Sequence, residues 1–127
     1  MKERPILLVE DDRDIREILA ESLEDEGFTV MTAANGLEAL RMVRSSAMRP
    51  AVILLDLMMP VLDGYGFLDE RRKDSTIASI PVAIVTAGPG VDRGRIGPDT
   101  TIVPKPIDLP RLLSIIGELI SVSEGPR

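Results

Sequence analysis

Five short apolar runs alternate with segments of helical periodicity, and this alternation constrains the fold more than any other feature of the chain. The runs are ILLV (6–9), FTVMTA (28–33), AVILL (51–55), VAIVT (82–86) and TIV (101–103). Three of them are almost continuously apolar and contain β-branched residues, which is typical of strands buried on both faces of a parallel sheet. Alternating strands and helices form βαβ units, so the sequence predicts an α/β fold with helices on both faces of a parallel sheet.

Apolar residues at helical spacing mark four segments between and after these runs. The apolar positions are Ile15, Ile18, Leu19 and Leu23 in the first, Leu37, Leu40 and Val43 in the second, Phe67 and Leu68 in the third, and Leu109, Leu112, Leu113, Ile116 and Ile120 in the last. Asp14 with Glu17 predicts a capping box at the start of the first helix, and Gly27 predicts its end. Asp63 and Asp108 are predicted to open the third and last helices.

The composition restricts the chemistry that the chain can perform. Of the 127 residues, 44% are hydrophobic but only 2% are aromatic, so the core must be aliphatic. Cys and His are absent, which removes disulfides, thiolate nucleophiles and the commonest general base. The net charge of −6 argues against a nucleic-acid-binding face. No apolar stretch reaches the roughly 18 residues of a membrane span, so we expect one cytoplasmic domain that binds neither nucleic acid nor membranes.

Polar residues follow four of the five predicted strands. Glu10 and Asp11 follow the first strand, Asp56 the third, Thr86 the fourth and Lys105 the fifth. Right-handed crossovers bring the carboxyl ends of parallel strands to one edge of the sheet, where ligand sites of such sheets lie. We therefore expect these five side chains to converge.

The converging residue types favour phosphoryl transfer. Clustered carboxylates raise one another's pKa, and a bound divalent cation relieves the repulsion. Oxygen ligands select a hard ion, and Mg²⁺ characteristically takes one or two carboxylates together with phosphate oxygens. Asp56 would then be a carboxylate nucleophile that accepts a phosphoryl group, with Lys105 neutralising charge and Thr86 hydrogen-bonding a phosphoryl oxygen.

The pattern VEDD…LLDLMMPVLDG…VTA…PKP resembles the receiver domain of two-component response regulators, because four separated motifs occur in order at about the right spacing. The resemblance covers residues from about 4 to 120. It implies a single domain over 1–127 with a flavodoxin-like (βα)5 doubly wound sheet of strand order 2-1-3-4-5. Residues 121–127 are then interpreted as a polar tail or linker stub.

The resemblance also implies roles for individual residues. Glu10 and Asp11 match the acidic pair of the Mg²⁺ site, with Asp11 as the direct ligand. Asp56 matches the phosphoacceptor, which also ligates the metal, and the backbone carbonyl of Met58 matches a further ligand. Thr86 matches the switch hydroxyl, and Lys105 matches the lysine that pairs with the phosphoryl group. The peptide bond between this lysine and the following proline is often cis in the family. Pro60 and Gly64 match the turn after the phosphoacceptor.

The sequence departs from the family at the switch. Receivers usually carry Tyr or Phe three residues before the lysine, and this aromatic ring follows the movement of the Thr. Here that position is Ile102, so the usual coupling cannot operate.

The second departure is the segment 87–100, which holds four glycines and two prolines. Gly costs a helix about 1 kcal/mol and an interior Pro about 3. We expect a short or irregular fourth helix of at most one turn at 91–96, in the most mobile or irregular part of the domain. The face on which many receivers dimerise must then be remodelled.

The remaining expectations concern side chains with less specific patterns. Met58 and Gly88 occupy the two positions that tune dephosphorylation in the family, and neither can orient an attacking water, which predicts slow loss of the phosphoryl group. Met58 and Met59 are otherwise expected to be packing groups, Asp12 and Asp14 to cap or solvate the first helix, and residues 71–73 to be a solvated helix end.

The sequence therefore predicts a signalling switch rather than an enzyme. It would accept a phosphoryl group from a histidine kinase or phosphotransfer protein and act on a downstream protein or an output domain, with homodimers as a further expectation. The main alternative is a pseudo-receiver, a phosphorylation-independent interaction module on the same fold. An aspartyl-phosphate hydrolase is a weaker alternative, because no second Asp lies at position 58. The chain would be either a stand-alone regulator or a fragment of a longer regulator or of a hybrid kinase.

Overall fold

The computed structural model describes residues 4–45, 49–97 and 100–124, and five strands alternate with five helices in them. The strands are β1 (Ile6–Val9), β2 (Val30–Ala33), β3 (Val52–Asp56), β4 (Val82–Thr86) and β5 (Thr101–Pro104). The helices are α1 (Arg13–Asp25), α2 (Gly36–Ser45), α3 (Gly64–Lys73), α4 (Arg93–Ile96) and α5 (Leu109–Glu124). No helix of this described part is long and apolar enough to cross a membrane.

The five strands form one parallel sheet in the order β2-β1-β3-β4-β5, which confirms the predicted fold class. The register aligns the strand ends: Val9 lies between Ala33 and Leu55, and Thr86 lies beside Pro104. The residues that follow these positions therefore lie along a single edge of the sheet.

The core has two layers because successive strand residues point to opposite faces of the sheet. Leu7, Val9, Ile53 and Leu55 belong to the layer under α2 and α3, together with the buried Phe67. The other layer lies under α1 and α5 and contains Ile6, Leu8, Val52 and Leu54 with Leu112 and Ile116. Every residue of β1, β3 and β4 is buried, as their continuous apolar sequences predict.

The first helix is capped two residues earlier than predicted. Asp12 is the N-cap, and its carboxylate accepts a hydrogen bond of 3.0 Å from the N–H of Ile15. The capping box expected at Asp14 is wrong, because Asp14 already lies within the first turn. Asp63 caps α3 as predicted and accepts from the N–H of Gly66 at 2.9 Å. Gly27 follows α1 with a φ of 101°, a conformation in which glycine is favoured.

The last helix extends further than expected. It continues to Glu124, so residues 121–124 of the segment interpreted as a tail or linker are helical. Residues 125–127 of that segment lie outside the described residues. The Asp108 carboxylate accepts from the N–H of Arg111 at 3.4 Å, in agreement with its predicted capping role.

The fourth helix is a single turn of four residues, which confirms the prediction for this segment. Asp92 caps it, and Gly97 ends it with a φ of 99°. Ile96 packs into the core with 3% exposure. The mobility expected of residues 87–100 stays a prediction, and Pro98 and Asp99 lie outside the described residues.

This turn is fastened to α3. The N–H of Asp92 donates to the Tyr65 hydroxyl at 2.9 Å, and the Arg95 guanidinium lies 4.7 Å above the Tyr65 ring. Arg95 also forms a 2.8 Å ion pair with Asp69, and Arg72 donates to the Arg95 carbonyl. The irregular segment thus has a defined anchor on the neighbouring helix.

The end of α3 is only partly solvated. Arg72 pairs with Asp69 and Lys73 with Glu70 on the surface, as expected. For Arg71 the expectation is wrong, because its Nε and Nη2 donate to the carbonyl of Ile80 at 3.1 and 2.6 Å. Burial lowers the pKa of this guanidinium. Arg71 therefore fastens the loop between α3 and β4 to the helix.

Candidate functional site

An acidic cluster lies at the carboxyl edge of the sheet, as the sequence predicts. Glu10 and Asp11 follow β1, Asp56 is the last residue of β3, and one carboxylate oxygen from each lies within 4.8 Å of the others. Glu10 and Asp56 are buried, with 4% and 6% exposure, whereas Asp11 is exposed. The neighbouring positions of β1 and β3 in the sheet bring these three carboxylates together.

Lys105 reaches this cluster from the end of β5. Its Nζ lies 3.1 Å from Oε1 of Glu10 and 3.5 Å from Oδ2 of Asp56. Its backbone N–H donates to the carbonyl of Thr86 at 2.9 Å, and the following bond to Pro106 is cis, as the resemblance implies. One ammonium therefore faces two buried carboxylates.

Burial and charge shift the pKa values of this pair. Burial raises the pKa of Glu10, and the charge of Asp56 adds to the effect, while the Asp12 N–H and Lys105 oppose it. Burial alone would lower the pKa of Lys105, but the hydrogen bond to Glu10 and the charges of Asp56 and Glu10 outweigh it and raise the pKa. Lys105 is therefore cationic at neutral pH.

Thr86 closes the site from β4. The residue is buried, and its hydroxyl accepts a hydrogen bond of 3.4 Å from the N–H of Gly88. A cavity of about 550 Å³ opens above these groups. Its lining comprises Glu10, Asp11, Asp12, Ile15, Asp56, Leu57, Met58, Tyr65, Thr86, Ala87, Gly88, Pro89, Gly90, Val91 and Lys105. All five predicted side chains thus border one cavity.

Met58 and Met59 differ in their surroundings. Met59 is buried, as expected of a packing group, but the Met58 side chain is 72% exposed, so that expectation is wrong for Met58. The Met58 N–H donates to Oδ1 of Asp56 at 3.2 Å, which orients the carboxylate. The role of the Met58 carbonyl as a metal ligand stays a prediction.

The loop after Asp56 is tightly built. The N–H of Gly64 donates to the carbonyl of Leu57 at 2.9 Å, and a Cβ at Gly64 would lie 2.7 Å from the carbonyl oxygen of Asp56. Val61 and Leu62 have φ values of 54° and 72°, a strained conformation for residues with such side chains. The Leu62 carbonyl accepts from the N–H of Gly36 at 3.0 Å, which holds the loop against α2.

Comparison with known proteins agrees with this geometry. Residues 6–117 match the response regulator receiver domain family. The chain belongs to this family. It is a receiver domain, a class of signalling module rather than an enzyme that acts on a separate substrate.

The receiver resembles both curated sequences and solved structures. It is 40% identical to a CpxR homologue of Haemophilus influenzae, named a transcriptional regulatory protein, over 95% of this chain and 52% of that protein. It is 40% identical to the response regulator MprA of Mycobacterium ulcerans over 91% of this chain and 49% of that one. The receiver therefore spans about half the length of these curated relatives.

Two solved structures show the likeness in three dimensions. The receiver domain of a signal transduction histidine kinase from Syntrophus aciditrophicus superposes with a TM-score of 0.85 at 30% identity, covering 98% of this chain and 96% of that one. The chemotaxis protein CheY4 of Vibrio cholerae superposes with a TM-score of 0.82 at 29% identity, covering 93% of this chain and 99% of that one.

Two departures of this receiver from its family concern Ile102 and the α4 turn. Ile102, at the position usually held by an aromatic residue, is half-buried against the core layer under α2 and α3. Tyr65 on α3 is an aromatic residue that instead lines the cavity and contacts the α4 turn. The sequence offers no signal for this role, because Tyr65 contributes to no motif and its partners are brought to it by the fold.

The acidic cluster fits a hard divalent cation. Its donors are oxygens of three carboxyl groups, and the chain contains neither Cys nor His as softer ligands. Mg²⁺ has these preferences. Glu10, Asp11 and Asp56 are the residues that would hold it.

Proposed function

We propose that this receiver accepts a phosphoryl group on Asp56 from the phosphohistidine of a kinase or phosphotransfer protein. The observation that carries the proposal is the position of Asp56. Its buried carboxylate lies within 4.8 Å of two further carboxylates and 3.5 Å from the Lys105 ammonium, at the floor of an open cavity. A lone structural carboxylate has no need for such surroundings.

In the proposed transfer, an Asp56 carboxylate oxygen attacks the phosphorus. The P–N bond of the phosphohistidine breaks and a P–O bond forms, while the donor imidazole keeps the electron pair of the broken bond and takes up a proton. Phosphoryl transfer depends mainly on positioning and on neutralising charge on the transferred oxygens. Lys105 already faces Asp56 and supplies one positive charge, and the Thr86 hydroxyl supplies a donor at the cavity wall.

Glu10, Asp11, Asp56 and the Met58 carbonyl are the proposed Mg²⁺ ligands. The ion, when bound, neutralises the carboxylates and polarises the phosphoryl oxygens. Glu10 is held for this role by the N–H of Asp12 at 3.1 Å and by Lys105 at 3.1 Å. The protein thus prepares the acidic residues before the phosphoryl group arrives.

The surface beside the site suits a protein donor. An apolar groove of about 560 Å³ runs between α1 and the residues that follow β5, and Ile15, Ile18, Pro106 and Ile107 line it. Ile18 is 66% exposed. The groove shares Ile15 and Lys105 with the cavity that contains Asp56, so a partner that covers it would lie beside the proposed phosphoacceptor. The cytoplasmic location and the identity of the kinase and target stay predictions.

The pseudo-receiver is the second candidate, and a specific observation favours it. Ile102 replaces the aromatic residue of the switch and α4 is one turn long, so the usual route from phosphoryl group to surface is altered. The proposed phosphoacceptor chemistry depends on Glu10, Asp11, Asp56, Thr86 and Lys105 instead, and these five residues border one cavity. We therefore favour the phosphorylatable receiver.

Beryllofluoride, which imitates a phosphoryl group on a carboxylate, separates the two candidates. With Mg²⁺ and beryllofluoride we expect amide chemical-shift changes around Asp56, Thr86 and Lys105 in the wild type and none in Asp56→Asn. A wild type that responds no more than Asp56→Asn would show a pseudo-receiver. Steady hydrolysis of many phosphomonoesters would instead show the hydrolase that the sequence disfavours.

A further inference from the structure

Arg16 makes an unusual set of contacts at the edge of the site. It lies in the first turns of α1, and its Nη1 donates to the backbone carbonyl of Glu10 at 2.8 Å and to that of Asp11 at 3.3 Å. Other surface arginines of this chain, such as Arg13 and Arg44, pair with carboxylates. Among the described residues, no carboxylate forms an ion pair with Arg16, although three carboxylates occupy the loop that it contacts.

The contact matters most for Asp11. The Asp11 side chain is exposed, and within residues 4–45, 49–97 and 100–124 it accepts no hydrogen bond. Its direction therefore depends on the backbone that carries it. Glu10, by contrast, is held through its own carboxylate by the N–H of Asp12 and by Lys105.

Arg16 and Asp12 hold this backbone from two sides. Asp12 caps α1 with its side chain and donates its N–H to Glu10, which joins the loop to the helix start and to the site. Arg16 reaches back from the next turn of the same helix and fixes the two carbonyls that precede Asp12. The peptide groups on both sides of Asp11 are thereby fixed relative to α1.

We infer that Arg16 is a positioning residue for the metal site. By holding the carbonyls of Glu10 and Asp11, it directs the Asp11 carboxylate toward Glu10 and Asp56 and so prepares the cation site. This inference deepens the proposed function and rests on it. Arg16 itself would contact neither the cation nor the phosphoryl group.

Charge and positioning predict opposite effects of removing Arg16. A positive charge near the acidic cluster repels a cation, so its loss by electrostatics alone would tighten Mg²⁺ binding. Loss of a group that orients metal ligands weakens binding, typically by about tenfold or more. The sign of the change in Mg²⁺ affinity therefore distinguishes the two roles.

Arg13→Gln is a matched control for Arg16→Gln. Both variants remove one positive charge from the start of α1, but the Arg13 side chain is 78% exposed and, among the residues that the structure describes, pairs only with Glu17 on the same helix. Mg²⁺ alone is titrated into each apo protein, and binding is followed by amide chemical shifts. We expect Arg16→Gln to raise the Mg²⁺ Kd about tenfold, Arg13→Gln to leave it unchanged or lower it slightly, and Arg16→Lys to fall between wild type and Arg16→Gln.

A second readout needs no metal. Amide hydrogen exchange at Asp12 reports the hydrogen bond from its N–H to Glu10. We expect this exchange to be faster in Arg16→Gln than in Arg13→Gln, while the thermal midpoints of the two variants are equal. If Arg16→Gln does not fold, Arg16→Lys is compared with the wild type. Lysine keeps the charge and changes only the hydrogen bonds to the two carbonyls, so a higher Mg²⁺ Kd in Arg16→Lys supports positioning and an unchanged Kd contradicts it.

The outcomes separate this inference from the function on which it rests. If Arg16→Gln binds Mg²⁺ as tightly as Arg13→Gln and exchanges at Asp12 at the same rate, the positioning role is wrong while the receiver site stands. If the wild type does not bind Mg²⁺ at all, the proposed function and the inference both fail.

Discussion

At the scale of single residues, the site is held by the Lys105 ammonium between two buried carboxylates. Replacing it in Lys105→Met leaves Glu10 and Asp56 without their cation, and removing one partner of a buried ion pair costs about 3–5 kcal/mol. Mg²⁺ should restore part of that loss, because a ligand of the native state stabilises it. In EDTA we expect Lys105→Met to have a lower thermal midpoint than the wild type, as measured by circular dichroism. Adding Mg²⁺ should raise the midpoint of Lys105→Met by more than it raises that of the wild type. An equal rise in both proteins would contradict this.

Two glycines give a matched pair of stability predictions. A methyl group at Gly64 would collide with the backbone of Asp56 and Leu57, whereas Gly117 in α5 has nothing within 4 Å of its Cβ position. Gly64→Ala should lower the free energy of unfolding by about 1–3 kcal/mol. Gly117→Ala should raise it by about 1 kcal/mol, because Ala favours a helix interior. Urea unfolding of both variants measures the difference, and a stabilised Gly64→Ala would refute the tight turn.

Loss of the phosphoryl group should be slow. Met58 and Gly88 line the cavity but offer no side-chain donor or acceptor to orient an attacking water. After loading with Mg²⁺ and acetyl phosphate and removal of the donor, we expect a phosphoryl half-life of minutes or longer, and a shorter one in Met58→Asn. A half-life of seconds in the wild type would contradict this prediction.

The sequence predicted those residues of the site that directly follow strands. Their positions could be predicted because right-handed crossovers bring the carboxyl ends of parallel strands to one edge of the sheet. It did not predict the contacts of Arg16, Tyr65 or Arg71. Each reaches a partner that lies on another element or loop, and no local pattern records such a contact. For Arg71, three basic residues in a row indicated a solvated helix end, but one of them is in reach of the Ile80 carbonyl.

At the scale of elements, the α4 turn depends on α3 for its position. The hydrogen bond from Arg95 lowers the pKa of Asp69 below the ordinary aspartate value of 3.8. The pair therefore stabilises the folded state fully at pH values above 3.8. This stabilisation is lost only as the pH falls through the lower pKa of the folded protein. At neutral pH the pair is intact. Asp69→Asn should remove it and loosen residues 92–97.

Amide hydrogen exchange of residues 92–97 at neutral pH tests this contact. We expect faster exchange of these amides in Asp69→Asn, with the exchange of the sheet amides unchanged. Glu70→Gln is the control, because it removes one charge from the same helix but pairs with Arg44 and Lys73, away from the α4 turn. Equal exchange in the two variants would show that Asp69 does not hold the turn.

The helix ends show where sequence patterns lose precision. The glycines and prolines of 87–100 predicted a broken fourth helix, since their cost to a helix is local. At the start of α1, Asp12 and Asp14 both suited a cap, and it is the Asp12 carboxylate that accepts the hydrogen bond from the N–H of Ile15. At the end of α5, the polar residues after Ile120 gave no apolar periodicity, yet the helix continues through them.

At the scale of the whole molecule, the fold followed from the alternation of buried strands and amphipathic helices, and the strand order followed from the family resemblance. α4 is a single turn, and the remodelling expected of the face on which many receivers dimerise stays a prediction. A homodimer of this receiver therefore stays a prediction, as does its output. Because the receiver spans about half the length of its curated relatives, the function of any longer protein is also a proposal.

The central claim is that Asp56 is a Mg²⁺-dependent phosphoacceptor, and intact-protein mass spectrometry tests it most directly. Wild type and Asp56→Asn are incubated with acetyl phosphate in Mg²⁺ and, separately, in EDTA. We predict a gain of one phosphoryl group in the wild type with Mg²⁺, and none in EDTA or in Asp56→Asn. No mass gain in the wild type, or an equal gain in Asp56→Asn, would contradict the assignment of Asp56.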